Sequence, residues 1–326
     1  MMAGNKIFLI GGAGFIGSHF VDELLSRADV EAVGVFDNFS SGRQWHLAAH
    51  ARDKRLKIIN GDVKDERKLV AAMDGFELVI HLASNPDIAR AVTEPAVDFH
   101  EGTFLTFRVV EAMRLTSAKR ILYTSGSGVY GDRGETEVAE DDGPFVPVST
   151  YGASKLAGEV MIAAYTHMFG LSGCVFRFGN VVGRRQTHGV GFDFLRKLTK
   201  DPGRLTILGD GRQSKSYIHV SDVVRAALLA NEKTKGPFET YNVATGDYIT
   251  VTEIAQIACR VLGLDEKAVV FEYTGGNRGW KGDVPIIRLN TNRIRALGWK
   301  RSLSSAQAIE QSLHEMLPDL KASCFA

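Results

Sequence analysis

Tyr151 and Lys155 stand four residues apart in the segment Tyr151-Gly152-Ala153-Ser154-Lys155. On a helix, that spacing puts a phenol and an ammonium on one face. An ammonium held near a phenol favours the phenolate, so the pair predicts a tyrosine pKa below its ordinary value. Such a phenol can take a proton from a sugar or alcohol hydroxyl at neutral pH. Tyr and Lys meet at this spacing in many helices, and the pair gains weight from a second feature. The stretch Gly11-Gly12-Ala13-Gly14-Phe15-Ile16-Gly17 follows an apolar run and opens a helical pattern.

That stretch satisfies GxGxxG through Gly12, Gly14 and Gly17, and GxxGxxG through Gly11, Gly14 and Gly17. Glycines let a backbone approach a pyrophosphate, and a helix N-terminus supplies donors and a positive dipole. Asp37 follows Gly17 by 20 residues, at the end of the next strand-like run. A carboxylate there accepts from a ribose 2′-hydroxyl and repels a 2′-phosphate, which favours NAD over NADP. Arg43 nearby reads either as a partner for a 2′-phosphate or as a solvated loop charge. Asp62-Val63 is placed to hold an adenine, and His81-Leu82-Ala83-Ser84 to line the nicotinamide half. Each of these also reads as an ordinary strand end.

The elements that must position these residues alternate. Ile7–Ile10, Ala32–Phe36, Leu56–Ile59, Leu78–Ile80, Arg120–Tyr123 and Gly173–Phe178 are short, apolar runs expected to be covered on both faces, as in a parallel sheet. Helical patterns run over Phe15–Ser26, Glu66–Met73, Ala96–Leu115 and Tyr151–Phe169. The order predicts an α/β fold, a Rossmann-type doubly wound parallel sheet. Helices near Phe192–Thr199, Ser221–Asn231, Val251–Leu262 and Ser304–Leu317 mix with short strands and predict a smaller, entwined C-terminal α/β lobe. Residues 1–180 are expected to form the cofactor domain, with 214–248 returning to it, and residues 181–326 mainly the substrate lobe.

The 326 residues carry a net charge of +1, so no global field favours nucleic acid or a membrane surface. Cys174, Cys259 and Cys324 form no ligand cluster and suggest a reducing compartment. Lys6–Ile10 breaks at once into glycines and reads as a buried strand rather than a leader. No run reaches the roughly 20 apolar residues a membrane span needs. The expected location is the cytoplasm.

Read together, Gly11–Gly17, Asp37-Asn38, Gly61-Asp62-Val63, His81–Ser84, Tyr123–Gly131, Tyr151–Lys155 and Arg177-Phe178-Gly179-Asn180-Val181 resemble the extended short-chain dehydrogenase/reductase family, in its nucleotide-sugar 4-epimerase branch. Gly209–Gln213, Tyr217–Val220 and Leu297-Gly298-Trp299 extend the match over nearly the whole chain. The resemblance implies NAD held by Gly11, Gly14, Phe15, Ile16 and Gly17, by Asp37, Asn38, Ser40 and Gly42, by Asp62 and Val63, by Leu82, Ala83 and Ser84, and by Thr124. It makes Tyr151 the acid/base and gives Lys155 two tasks, lowering the phenol pKa and holding the nicotinamide ribose. A Ser or Thr four residues before the tyrosine of the Val-Tyr-Gly segment usually bonds the reacting hydroxyl. Here that residue is Gly126, and Ser125 is the expected replacement. Phe99 stands where relatives often carry Asn, and Lys215-Ser216 replaces a common Arg-Asp. A lysine meets a phosphate without the bidentate fork.

Ser125-Gly126-Ser127-Gly128 precedes Val129-Tyr130, where 4,6-dehydratases resemble one another in carrying Asp-Glu and glucuronate decarboxylases in carrying Glu. Missing carboxylates leave 4-epimerisation of a nucleotide-diphosphate sugar through a 4-keto sugar and a resident NAD. Asn85, Ser125, Gly126, Ser127, Asn180 and Lys215, with Arg278 or Lys281 from the loop Gly275–Asp283, are the expected substrate contacts. Another NAD(P)-dependent reductase or epimerase, or a silent NAD-binding regulator, stays open. His46 and His50 have i,i+4 spacing, but with no accompanying carboxylate they read as no metal site. His219 reads as a satisfied core histidine. Arg184-Arg185 reads as a nucleotide contact or a solvated basic pair. The helices at Ala96–Leu115 and Tyr151–Phe169 are expected to build a homodimer's four-helix interface, the alternative being mere cover for the sheet.

Overall fold

The computed structural model describes residues 5–321. Cys324 lies outside them, while Cys174 and Cys259 are buried and unpaired. The first 126 residues supply five strands, β1 (Lys6–Ile10), β2 (Ala32–Asp37), β3 (Leu56–Asn60), β4 (Leu78–His81) and β5 (Arg120–Gly126). Strands Ser172–Phe178 and Phe238–Val243 complete one sheet in the order β3-β2-β1-β4-β5-(Ser172–Phe178)-(Phe238–Val243). Every neighbouring pair is parallel, with Phe8 opposite Gly34 on one side and Val79 on the other. The strand order reverses between β1 and β4, and in such sheets ligands bind in the crevice outside the carboxyl ends at that point.

Alternate residues of β1 feed two cores. Ile7 and Leu9 pack with Phe20 and Leu24 of α1 (Phe15–Ser26) and Val223 of the helix Val220–Lys233. Phe8 and Ile10 pack with Leu69 of α2 (Glu66–Met73), Val109 of the helix Phe104–Leu115 and Ile162 of the helix Thr150–Phe169. Burial on both faces is why β1 reads as an unbroken apolar run. The expectation fails at β3. It is the sheet edge, and Ile58 is 45% exposed because no further strand pairs with β3 among the described residues.

The expected helix Ala96–Leu115 is present at those bounds, with one irregularity inside it. It runs from a first helical turn at Ala96–Asp98 through a wide i→i+5 turn over Phe99–Thr103 into the regular stretch Phe104–Leu115, with the junction residues all right-handed helical. The wide turn brings Gly102 against the Tyr151 helix, where a Cβ would come within 2.7 Å of Ser154 Oγ.

The second lobe has its own core, with Phe194, Leu195, Leu205, Ile254, Ile309 and Leu313. The chain is shared between the lobes. Tyr217–His219 pairs with Asn180–Val182, after which the helix Val220–Lys233 and the strand Phe238–Val243 return to the sheet.

Gly158 sets how closely the Tyr151 helix lies on the sheet. A Cβ there would sit 2.4 Å from Tyr123 Oη and 2.8 Å from Cζ, on a ring that is 1% exposed and has nowhere to go. Gly158→Ala should therefore lower stability by about 1–3 kcal/mol, the usual penalty of overpacking, read as an earlier unfolding midpoint in urea.

Candidate active site

Helix Thr150–Phe169 begins cleanly, because Ser149 Oγ accepts the Gly152 N–H at 3.1 Å, and ends at Gly170 in the left-handed region (φ 68°). Its first three turns carry Tyr151, Lys155 and Glu159 toward the sheet. A cavity of about 830 Å³ runs along the carboxyl edge of the sheet, from the Gly11–Gly17 turn past Tyr151 to the second lobe.

At the first end, α1 starts at Gly14 with no side chain capping its N-terminus, so donors stay open toward the cavity. Gly17 is required for the turn itself, since a Cβ would stand 2.4 Å from Gly11 O. Asp37 is 7% exposed. Burial raises its pKa, opposed by the N–H groups of Phe39 and Ala13, which donate to its two oxygens at 2.9 Å each. Asn38 Nδ2 donates to Asp62 Oδ2 at 3.2 Å and its Oδ1 accepts the Ser40 N–H, which ties the strand ends together. Phe15, Ile16, Val63, Leu82 and Ala83 line the same space. Open helix donors, a buried carboxylate at the β2 end and apolar walls fit a dinucleotide. Gly42 is outside the lining. It packs on Asp37 and Ala13, where a Cβ would fall 2.8 Å from Asp37 Oδ1. Arg43 reaches its neighbour Gly42 O at 3.3 Å and is also outside.

At the centre, Lys155 is 3% exposed and its Nζ donates to Thr124 O at 2.9 Å. The Nζ lies 5.2 Å from the Tyr123 ring centroid and 5.6 Å from that of Tyr151. Burial pushes the Lys155 pKa down to about 8, against the pull of Glu159 and Asp98. The expected fall in the Tyr151 pKa is corrected, because burial raises it. The nearby Ser84 side chain opposes that rise and the Asp98 charge adds to it. The ammonium is spent on a carbonyl, and desolvation wins.

Ser125, the expected contact for a reacting hydroxyl, lines the cavity, with its one proton committed elsewhere. Its Oγ donates to Glu159 Oε1 at 2.5 Å. Asn85 lines the cavity, yet its amide is spent on Asp87 O (2.9 Å) and Asp98 Oδ1 (2.8 Å), and its Oδ1 accepts the Asp87 N–H. Gly126, Ser127 and Asn180 line the cavity. Lys215 lines it too, paired with Asp283 at 2.5 Å. Arg278 and Lys281 do not. Arg278 donates to Asp132 and to Asp283 O at 2.7 Å each, and Lys281 is exposed.

The chain matches the model of the NAD dependent epimerase/dehydratase family over residues 7–244. It belongs to that family. The family's cofactor, NAD, is the ligand for which the Gly11–Gly17 end is shaped. A UDP-glucose 4-epimerase from Mycolicibacterium smegmatis is 31% identical over 315 residues, 94% of this chain and 97% of that one. The crystal structure of UDP-glucose 4-epimerase with UDP-glucose from Thermotoga maritima is 29% identical, with a TM-score of 0.85 over 97% of this chain and 99% of that one. A dTDP-glucose 4,6-dehydratase from Streptomyces venezuelae, with NAD and TYD bound, reaches a TM-score of 0.88 at 26% identity, over 97% and 98% of the two chains.

Several cavity residues escaped the reading of the sequence. Gln186, His188, Asp193 and Lys197 line the second lobe. Asp193 and Lys197 have i,i+4 spacing, which reads as a surface ion pair, and they do pair at 2.7 Å. Asp98 and Glu159 carried no motif. The remaining side readings resolve locally. His219 is satisfied by Ser221 at 2.8 Å and Glu315 at 3.2 Å. His50, expected to lack a carboxylate, bonds Asp22 at 2.7 Å, and Arg185 takes the other Asp22 oxygen. Arg184 lies 3.7 Å from Asp319. No cluster of three metal-ligating side chains occurs among the described residues.

Two buried histidines beneath the site make the fold acid-sensitive. Burial lowers the pKa of His46 to about 4 and that of His81 to about 3. In the unfolded chain both take protons near the ordinary 6.5. The unfolded state therefore binds more protons below that value, and stability falls with pH by about 1.4 kcal/mol per unit for each. Urea midpoints should drop between neutral pH and pH about 5, and less so in His46→Gln.

Proposed function

We propose that this isomerase is an NAD-dependent nucleotide-sugar 4-epimerase. The observation that carries the reading is one phenol beside a segment without acids. Tyr151 faces the cavity next to Ser125-Gly126-Ser127-Gly128, and each carboxylate lining that cavity is already engaged. Asp37 and Asp62 hold backbone N–H groups at the cofactor end. Glu101 pairs with Lys64, Asp193 with Lys197 and Asp283 with Lys215. Elimination of water needs an acid and a base beside the sugar's C5 and C6. Epimerisation at C4 needs a single proton shuttle.

Tyr151 takes the 4-hydroxyl proton, the 4-keto sugar turns over in the cavity, and Tyr151 returns the proton. NAD, when bound, accepts and returns the C4 hydrogen and brings a positive ring. Lys155 uses one N–H on Thr124 O and keeps two for a ribose. Asn180 and Lys215 stand where the second lobe meets the sheet and are the residues for the diphosphate. The relatives named UDP-glucose 4-epimerase support a UDP-sugar. Among the described residues no helix is long and apolar enough to cross a membrane, and unpaired buried cysteines suit a reducing cytoplasm. Exposed Val160 and Met168 on the Tyr151 helix and Leu115 on its neighbour favour a homodimer through these helices. One observation favours a catalytically silent NAD-binding protein instead, namely the missing hydroxyl at Gly126.

The deciding measurement is a panel of UDP-, GDP-, CDP- and dTDP-sugars followed by NMR without added NADH. Inversion at C4 of one or more sugars is expected, and Tyr151→Phe should lower kcat by at least about 10²-fold. Stoichiometric NADH consumption, or binding with no conversion across the panel, defeats the reading.

A further inference from the structure

The loop Gly275–Asp283 carries cations suited to a diphosphate, but it brings an indole to the cavity wall instead. Gly279, Trp280, Gly282 and Asp283 line the cavity, whereas Arg278 and Lys281 do not. Trp45 and Trp299 are also outside the lining, so Trp280 is its one tryptophan among the described residues. Asp283 fastens the loop. It is 7% exposed, its N–H donates to Trp280 O at 3.1 Å, and its Oδ2 accepts the Gly279 N–H at 3.1 Å. Lys215 donates to its Oδ1 at 2.5 Å, and Arg278 to its carbonyl at 2.7 Å. Gly282 makes room for the ring. A Cβ there would stand 2.4 Å from Trp280 Cζ3, 2.6 Å from Cη2 and 3.1 Å from Ser149 Cβ. The six-membered ring therefore lies on the Gly282 backbone and beside Ser149. Ser149 caps the helix whose second residue is Tyr151.

We propose that Trp280 is a specificity-determining residue of this site, its indole the platform for the pyranose of the nucleotide sugar. Place selects the sugar over the base. The ring lies at the start of the helix that carries Tyr151, both line one cavity, and the phenol acts on a sugar carbon. The inference rests on the 4-epimerase reading for that last clause. One face of a pyranose is mostly C–H, and an aromatic ring laid on it removes apolar surface from water. Tryptophan supplies that area rigidly, at a low cost in conformational entropy. The hold is also non-directional, built from many weak contacts, whereas a hydrogen bond weakens steeply off its axis. A 4-keto sugar that turns over between losing and regaining its C4 hydrogen moves across such a surface, where a set of hydrogen bonds would favour one face.

The test measures indole emission and the binding of UDP-glucose and of UDP to NAD-loaded protein. It is done in the Tyr151→Phe background, where no turnover intervenes, and each emission is taken minus that of the Trp280→Phe counterpart. UDP-glucose should change the Trp280 emission and UDP should not. Trp280→Ala should weaken UDP-glucose about tenfold and UDP less than about twofold, and Trp280→Phe should recover most of the loss. Gly282→Ala keeps the indole but displaces it, and should weaken UDP-glucose in the same selective way. Trp45→Phe should alter the binding of neither ligand. The proposal is overturned if UDP-glucose leaves the Trp280 emission unchanged, or if Trp280→Ala weakens both ligands equally. It is overturned too if UDP changes the emission as strongly, which assigns the ring to the base. Binding needs no conversion. An emission that answers UDP-glucose, with no conversion across the sugar panel, sustains the platform and defeats the 4-epimerase reading. Conversion with a silent emission does the reverse.

Discussion

One buried ion pair underlies the site. Glu159 and Arg177 meet at 2.7 Å with side chains only 5% and 4% exposed. Glu159 sits one turn beyond Lys155, and Arg177 belongs to the strand beside β5. Two charges out of water are tolerable only when their remaining bonds are satisfied, and here they are. Glu159 also accepts from Ser125. Arg177 donates to Glu140 O and Tyr130 Oη at 2.9 Å each and lies 4.5 Å from the Phe145 ring centroid. Tyr130 passes the contact to Asn242, whose amide holds Val138 O and Asn290 O. The pair thus locks the Tyr151 helix to the sheet and to the seam between the lobes. Its cost is specific, because Ser125, which lines the cavity, has its hydroxyl proton committed to Glu159 as a bracing group.

The same economy governs Lys155. An ammonium this deeply buried needs a partner, and the Thr124 carbonyl is in reach at 2.9 Å. The phenol is left to burial, to Ser84 and to the nearby Asp98 charge, and its pKa moves up. Charge proximity along a helix is therefore a poor guide to pKa where desolvation is the larger effect.

Fold likeness does not separate the chemistries of this family. The dehydratase structure superposes at a TM-score of 0.88 and the 4-epimerase at 0.85. One scaffold carries both, and a few side chains beside the reacting carbons make the difference. In this chain the segment Ser125–Gly128 before Val129-Tyr130 carries no carboxylate.

The amino-acid sequence by itself determined the sheet. Runs such as Ile7–Ile10 must be buried on both faces, and the glycine turn before Phe15–Ser26 with Asp37 downstream marks the dinucleotide end, because these are local patterns of hydrophobicity and backbone freedom. The i,i+4 spacing of Tyr151 and Lys155 placed them on one helix for the same reason. Tertiary structure alone decided what each polar group does with its bonds. Ser125 turns to Glu159, Asn85 to Asp98, Lys215 to Asp283, and Arg278 leaves the cavity for Asp132. Their partners lie 13 to 146 residues away in the chain. A hydrogen bond is won by whichever group arrives at 3 Å in a dry interior, and no spacing within a segment records that competition.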